Sequence, residues 1–195
     1  MQDGTITFIT MRLADSIPEE VILRWERERL EYLRSRGIES ADWRDGRLEL
    51  TGTERSKFDR HFHRLREDEL DTCRGACQLR DVTAAETVAD SLLHFDEDRY
   101  LMGDFIVMPN HVHLLAVFPT GDLMRKQCYS WMKYTATLIN RFNGDRGTLW
   151  QEEPFDHLVR SEEQLTYLRN YIAQNPTKAG LKPGEYHYRQ STHPF

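Results

Sequence analysis

Polar and apolar positions divide the chain into segments of distinct period. Thr5 to Leu13 alternates as a half-buried strand does. Pro18 to Arg36 sets Val21, Leu23, Trp25, Leu30 and Leu33 among dense charge, the pattern of an amphipathic helix. Residues 40–80 are polar and irregular, with a helix expected near Ser56 to Leu70. Thr83 to Phe95 places Val88, Leu92 and Phe95 on one helical face. Tyr100 to Met108 and His111 to Phe118 read as strands joined by a tight turn at Pro109-Asn110. Leu123 to Phe142 is a long helix, Phe155 to Arg160 a short strand, and Glu162 to Gln174 a last helix. This order of strand, helix, strand, strand, helix, strand predicts an α+β fold: a ferredoxin-like antiparallel sheet with helices on one face. Residues about 18–75 are a helical insertion after the first strand, all within one domain, 1–195.

The chemistry concentrates in the strand that follows Asn110. His111 and His113 interrupt an otherwise apolar run, and residues two apart on a strand point to one face. Neutral imidazole is the commonest protein ligand for transition-metal ions. Two histidines on one face of a greasy strand therefore suggest a metal site on a central strand, against the alternative of a hydrogen-bonded core pair.

The last helix is punctuated. Ser161 is an N-cap, acidic residues fill the first turn, Pro176 is expected to stop the helix and Gly180 to close the following turn. Tyr167, Tyr171 and Asn175 fall at i, i+4 and i+8 and share a face. Asn175 can supply an amide oxygen to a cation and Tyr171 a phenol beside it. Packing with one satisfied hydroxyl is the plainer role for either tyrosine.

Together these segments resemble a known family. Met108-Pro-Asn-His-Val-His-Leu-Leu115 and Tyr171-Ile-Ala-Gln-Asn-Pro-Thr-Lys-Ala-Gly-Leu181 are similar to motifs of the REP-associated tyrosine transposases, a single-tyrosine branch of the HUH nucleases. Ile6 to Pro18, Leu92-Leu-His-Phe-Asp96, Trp150-Gln151 and Phe155-Asp-His-Leu-Val-Arg160 add to the likeness, which spans most of the chain.

The resemblance implies a metal-dependent single-stranded DNA endonuclease and strand transferase. His111, His113 and Asn175 would hold Mg²⁺ or Mn²⁺, and Tyr171 would attack the scissile phosphate to leave a 5′-phosphotyrosine link and a free 3′-hydroxyl. The expected partner is a single-stranded DNA hairpin or palindromic repeat, with the protein a monomer or homodimer. Tyr167 and Tyr171 also resemble the paired tyrosines of related replication nucleases, but the Asn-Pro-x-Lys-Ala-Gly context favours Tyr171, leaving Tyr167 structural or in contact with substrate. His157, before the tyrosine helix, and Lys178, within its closing motif, are further candidates to contact DNA.

The net charge of −6, from 26 basic and 32 acidic residues, is the chief objection to a DNA partner. Charge is segregated, however. From Asp122 to Arg146 five basic residues face two acidic ones, a local balance of +3. Arg125, Lys126, Lys133 and Arg141 lie there among Tyr129, Trp131, Tyr134 and Phe142, and Tyr129 with Lys133 would share a rim at i, i+4. Some of those aromatics must instead form the core face.

Three cysteines, an odd count, fit a reducing cytoplasm better than a disulfide scaffold, and neither a signal segment nor a long apolar span is evident. His61, His63, Cys73 and Cys77 match no familiar zinc spacing, and residues i and i+2 of a helix do not share a face. A histidine-triad phosphohydrolase would need a third histidine where Leu115 stands. The remaining alternative is a domesticated DNA- or RNA-binding module with the same fold and no cleavage.

Overall fold

The computed structural model describes residues 4–152 and 154–193. In chain order the elements are β1 (Ile6–Arg12), α1 (Glu19–Arg34), α2 (Trp43–Glu49), α3 (Gly52–Leu70), a short 3₁₀ turn (Gln78–Arg80), α4 (Val82–Leu93), β2 (Leu101–Val107), β3 (His111–Val117), α5 (Gly121–Asn143), β4 (Phe155–Leu158), α6 (Glu162–Lys178) and β5 (His187–Arg189). They fall into two compact units, residues 1–16 with 76–195, and residues 17–75.

In the larger unit the five strands form one antiparallel sheet in the order β4-β1-β3-β2-β5. The first four strands in that order are the expected ferredoxin-like arrangement; β5 extends it at the β2 edge. Its three residues carry too little periodicity to be read from the sequence. The central strand β3 is almost wholly buried because both sheet faces are covered. Ile9, Met11, Val112, Leu114, Phe105 and Val107 pack on one face with Val88 and Leu92 of α4 and Met124, Cys128 and Trp131 of α5. Phe8, Ile106 and Leu115 pack on the other with Leu165, Leu168 and Ile172 of α6. Helices thus lie on one face as expected for α4 and α5, while α6 covers the opposite one. The reason is in the sheet itself: Val112, Leu114 and Ala116 are apolar on one side, and Phe8, Ile106 and Leu115 are apolar on the other, so each side needs a cover.

Two features fix α6 in place. A register irregularity between Met102 and Phe105 lets Asp104 leave the α4/α5 core and meet α6. Its buried carboxylate accepts hydrogen bonds from Arg169 Nε at 3.0 Å, Arg169 Nη2 at 3.2 Å and the Ser191 backbone N–H at 2.8 Å. At its ends, α6 has the Ser161 cap, whose oxygen accepts from Gln164 N–H at 3.2 Å. Pro176 does not stop the helix, which continues to Lys178. A proline removes one donor, here in the last turn, where the lost bond is to a single carbonyl. The end comes at Gly180 (φ +67°), with Leu181 N–H bonded to the Pro176 carbonyl and Gly180 N–H to that of Thr177. That is a Schellman closure, which needs a left-handed residue where glycine stands.

The smaller unit, residues 17–75, is helical throughout much of the stretch expected to be irregular. Thr51 and Glu54 form a reciprocal capping box that starts α3. The short α2 contains Gly46 because a Cβ there would come within 2.8 Å of Leu33 Cδ1 on α1. Leu33, Leu50, Phe58 and Phe62 form one apolar cluster, and Ile17, Val21, Trp25 and Leu70 another. His61 and His63 lie on α3, and among the described residues no three His, Cys, Asp or Glu side chains converge as a metal site. Burial pushes the thiol of Cys128 up to about 12, leaving it inert. No helix among the described residues is long and apolar enough to cross a membrane.

Two stability measurements follow from these contacts. Asp104→Ala removes the partner of Arg169 and should lower the unfolding free energy by about 3 kcal/mol in urea denaturation. His63 is held below its usual range, first by burial and then by Arg66, against the raising effect of Glu67. Its unfolded form takes up a proton first, so its contribution is present above about pH 6.5. That contribution is lost as pH falls toward the lower folded value. Denaturation from pH 7.5 to 5 should show a shallower decline for His63→Gln than for the native sequence.

Candidate active site

β3 carries the histidine pair at the centre of the sheet, on the face that α6 covers. Antiparallel register sets His113 directly opposite Thr10 and His111 opposite Arg12, so these four side chains share the face. Both imidazoles are fully buried, with ring centroids 4.5 Å apart. Each makes a hydrogen bond through Nδ1. His111 Nδ1 lies 2.7 Å from Asn110 Oδ1, and a carbonyl oxygen can only accept, so the proton sits on Nδ1. His113 Nδ1 lies 2.9 Å from Thr10 Oγ1. A threonine hydroxyl can donate or accept, so this bond orients the His113 ring and leaves Nε2 toward Tyr171. Second-edge anchoring of this kind is how proteins orient imidazoles as ligands. Phe8 stacks on the His113 ring at 5.3 Å and fixes its plane.

α6 brings the tyrosine over this pair. Tyr171 Oη is 3.4 Å from His113 Nε2, and its ring meets His113 edge-on at 5.2 Å. Lys178 Nζ lies 4.6 Å from the Tyr171 ring centroid, a cation–π contact. Tyr167, 65% exposed, stacks on Tyr171 at 6.5 Å. The two tyrosines thus differ: one reaches the histidines and the other faces solvent. His157, opposite Phe8 on β4, lies 5.3 Å from the Phe8 ring and borders the same region.

Asn175, one turn after Tyr171, gives the clearest indication of a missing partner. Its side chain is fully buried, yet neither amide atom has a hydrogen-bond partner. A buried amide left this way costs about 1–3 kcal/mol. Two buried imidazoles on the sheet and an unpartnered amide on the helix that covers that face offer nitrogen and oxygen donors of the kind a divalent cation takes.

Of the remaining candidates, Arg125, Lys126, Tyr129, Lys133 and Arg141 are exposed on α5, and α5 packs on the opposite sheet face. The structure does not bring them to the histidines. Arg125 is also engaged by Asp122. Sequence reasoning missed Thr10, Asn110, Phe8 and Arg12, which hold or border the pair. Their signal was the strand alternation itself: Phe8, Thr10 and Arg12 belong to one face of β1.

A chelator experiment tests the donor set without any DNA. Mn²⁺ at a hundred times its dissociation constant should stabilise the protein by about 2.7 kcal/mol in thermal or urea unfolding. Asn175→Leu should abolish that gain while raising stability in chelator, because it removes the unpartnered amide. Unchanged Mn²⁺ stabilisation in Asn175→Leu would exclude it as a ligand.

Comparison with known proteins returns the family named by the motifs. No family model matches the chain. A curated protein of Haemophilus influenzae described as a REP-associated tyrosine transposase is 30% identical over 84 residues, which cover 38% of this chain and 48% of that protein. The chain thus spans about half the length of this curated relative. A solved structure of a REP-associated tyrosine transposase bound to a REP hairpin aligns with 92% of this chain and 71% of its own, at TM-score 0.49 and 15% identity. The chain is therefore similar to REP-associated tyrosine transposases, as its histidine and tyrosine motifs imply.

Proposed function

We propose that this protein is a metal-dependent single-stranded DNA endonuclease and strand transferase, acting at hairpin or palindromic repeats with Tyr171 as nucleophile. The observation that carries the reading is the Tyr171 hydroxyl 3.4 Å from His113 Nε2, on a helix whose next turn holds the unpartnered Asn175. The similarity to a REP-associated tyrosine transposase supports it.

His111, His113 and Asn175 would hold Mg²⁺ or Mn²⁺. A divalent ion held there would supply Lewis-acid polarisation of the phosphoryl group. Arg12, opposite His111, adds a fixed positive charge on the same face for the phosphate. In the cleavage step the Tyr171 oxygen forms a bond to phosphorus and the bond from phosphorus to the 3′ oxygen breaks. The phenol proton passes to solvent, and the departing 3′ oxygen takes a proton from water. The products are a 5′-phosphotyrosine and a 3′-hydroxyl. Attack by a 3′-hydroxyl reverses the exchange and restores the phenol, so strands rejoin without an external energy source.

Pre-positioning is the main contribution of this chain's residues. Phe8 and His113 wall the Tyr171 ring, and the Asp104–Arg169 pair holds the helix beneath it. Lys178 sets a positive charge beside the ring that supplies the attacking oxygen.

Denaturing gels of labelled single-stranded hairpins, incubated with protein and Mg²⁺ or Mn²⁺, test this directly. The expected result is label that migrates with the protein, requires the ion and disappears in Tyr171→Phe. Cleavage should fall on the order of 10³-fold or more in Tyr171→Phe and in a well-folded His111→Ala, while Tyr167→Phe retains the adduct. An adduct lost only in Tyr167→Phe would move the nucleophile one turn back. Hairpin binding without any adduct would identify a non-catalytic binding module.

A further inference from the structure

The basic and aromatic positions of α5 stand apart from the histidine face, and a cleft beside them gives them a use. It has a volume of about 400 Å³ and lies between α4 and α5, in the helical layer on the other side of the sheet. That size suits a small flat ligand. Gln127 and Ser91 line it, at 6% and 8% exposure, and neither side chain has a hydrogen-bond partner among the described residues. Buried amides are normally satisfied within the protein. This one lines an open cleft instead.

The surroundings narrow the ligand class. Tyr134, 55% exposed, presents aromatic surface along the α5 wall, which the buried Trp131 also lines. Asp90 on the α4 wall adds an acceptor for a ring or exocyclic N–H. An amide that offers one donor and one acceptor side by side matches the edge of a nucleobase, and an exposed aromatic face suits stacking on an unpaired base. Lys126 and Arg141 are exposed on α5, eight residues before Tyr134 and seven after it. They lie roughly 22 Å apart along the helix axis, and neither has an ion-pair partner among the described residues.

We infer that the α4/α5 cleft is a second nucleic-acid site, which takes one unpaired nucleobase of a DNA strand. Gln127 reads the base edge, Tyr134 stacks on its face, and Lys126 and Arg141 meet phosphates on either side. The inference rests on the proposed function for its substrate class, single-stranded DNA, and not for its chemistry.

The test uses full-length protein carrying Tyr171→Phe, in chelator, so that no strand is cut. Fluorescein-labelled single-stranded pentanucleotides with a central A, C, G or T, or a central abasic site, are titrated by anisotropy. At least one base should bind about ten-fold more tightly than the abasic strand. Adding Gln127→Leu or Tyr134→Ala should bring that ratio close to one. Gln127→Leu should leave Tm unchanged, because its amide lines an open cleft; a merely structural glutamine would lower Tm when replaced. Equal binding of base and abasic strands overturns the inference, and so does a base preference that survives both variants. Tyr171-dependent cleavage without a Gln127-dependent preference would reject the second site alone, and the converse would reject the nuclease alone.

Discussion

Burial of β3 on both faces is the constraint from which the rest of the larger unit follows. A strand at the middle of a covered sheet can hold polar side chains only if each polar atom has a defined partner. His111 and His113 meet that demand through Asn110 and Thr10, each bonded at Nδ1. The requirements of folding and of chemistry therefore coincide. The bonds that make two buried imidazoles tolerable also orient their rings, and that of His113 turns its second nitrogen toward α6. Asn175 departs from this rule at both of its amide atoms.

The position of α6 is set by polar as well as apolar contact. Leu165, Leu168 and Ile172 hold it against the sheet, but apolar packing alone tolerates sliding. The forked contact of Arg169 with Asp104 is directional and lies two residues from Tyr171 in sequence. Ser191 joins the same carboxylate, so the chain beyond β5 helps to lock the helix. The irregular register in β2 thus contributes, through Asp104, to holding the helix that carries Tyr171.

Much of this was legible in the sequence. The order of elements, the two-residue spacing of the histidines and the shared face of Tyr171 and Asn175 depend on local periodicity, and each appears as expected. What escaped depends on contacts between distant segments. Thr10 is one polar residue in an apolar strand until β3 pairs beside it. The helicity of Trp43–Glu49 was hidden by Gly46, whose place is dictated by the approach of Leu33. Pro176 reads as a stop because proline breaks helix interiors, but near a helix end it removes little. The α5 cations look like part of the histidine site along the chain, and the sheet separates them from it. The Thr51/Glu54 capping box, by contrast, was readable and went unread.

The insertion between β1 and the rest of its sheet has a consequence for synthesis. Thr10 and His113 are separated by 103 residues, so β1 emerges with neither of its neighbours, β3 and β4. At ribosomal rates of about 5–20 residues per second, it waits on the order of ten seconds for β3. Residues 17–75 are contiguous and carry their own apolar clusters, so they can close during that interval. The strand that will anchor the buried His113 imidazole is meanwhile an apolar segment with two open edges. The nascent chain is most exposed to mispairing at the same strand that later completes the site.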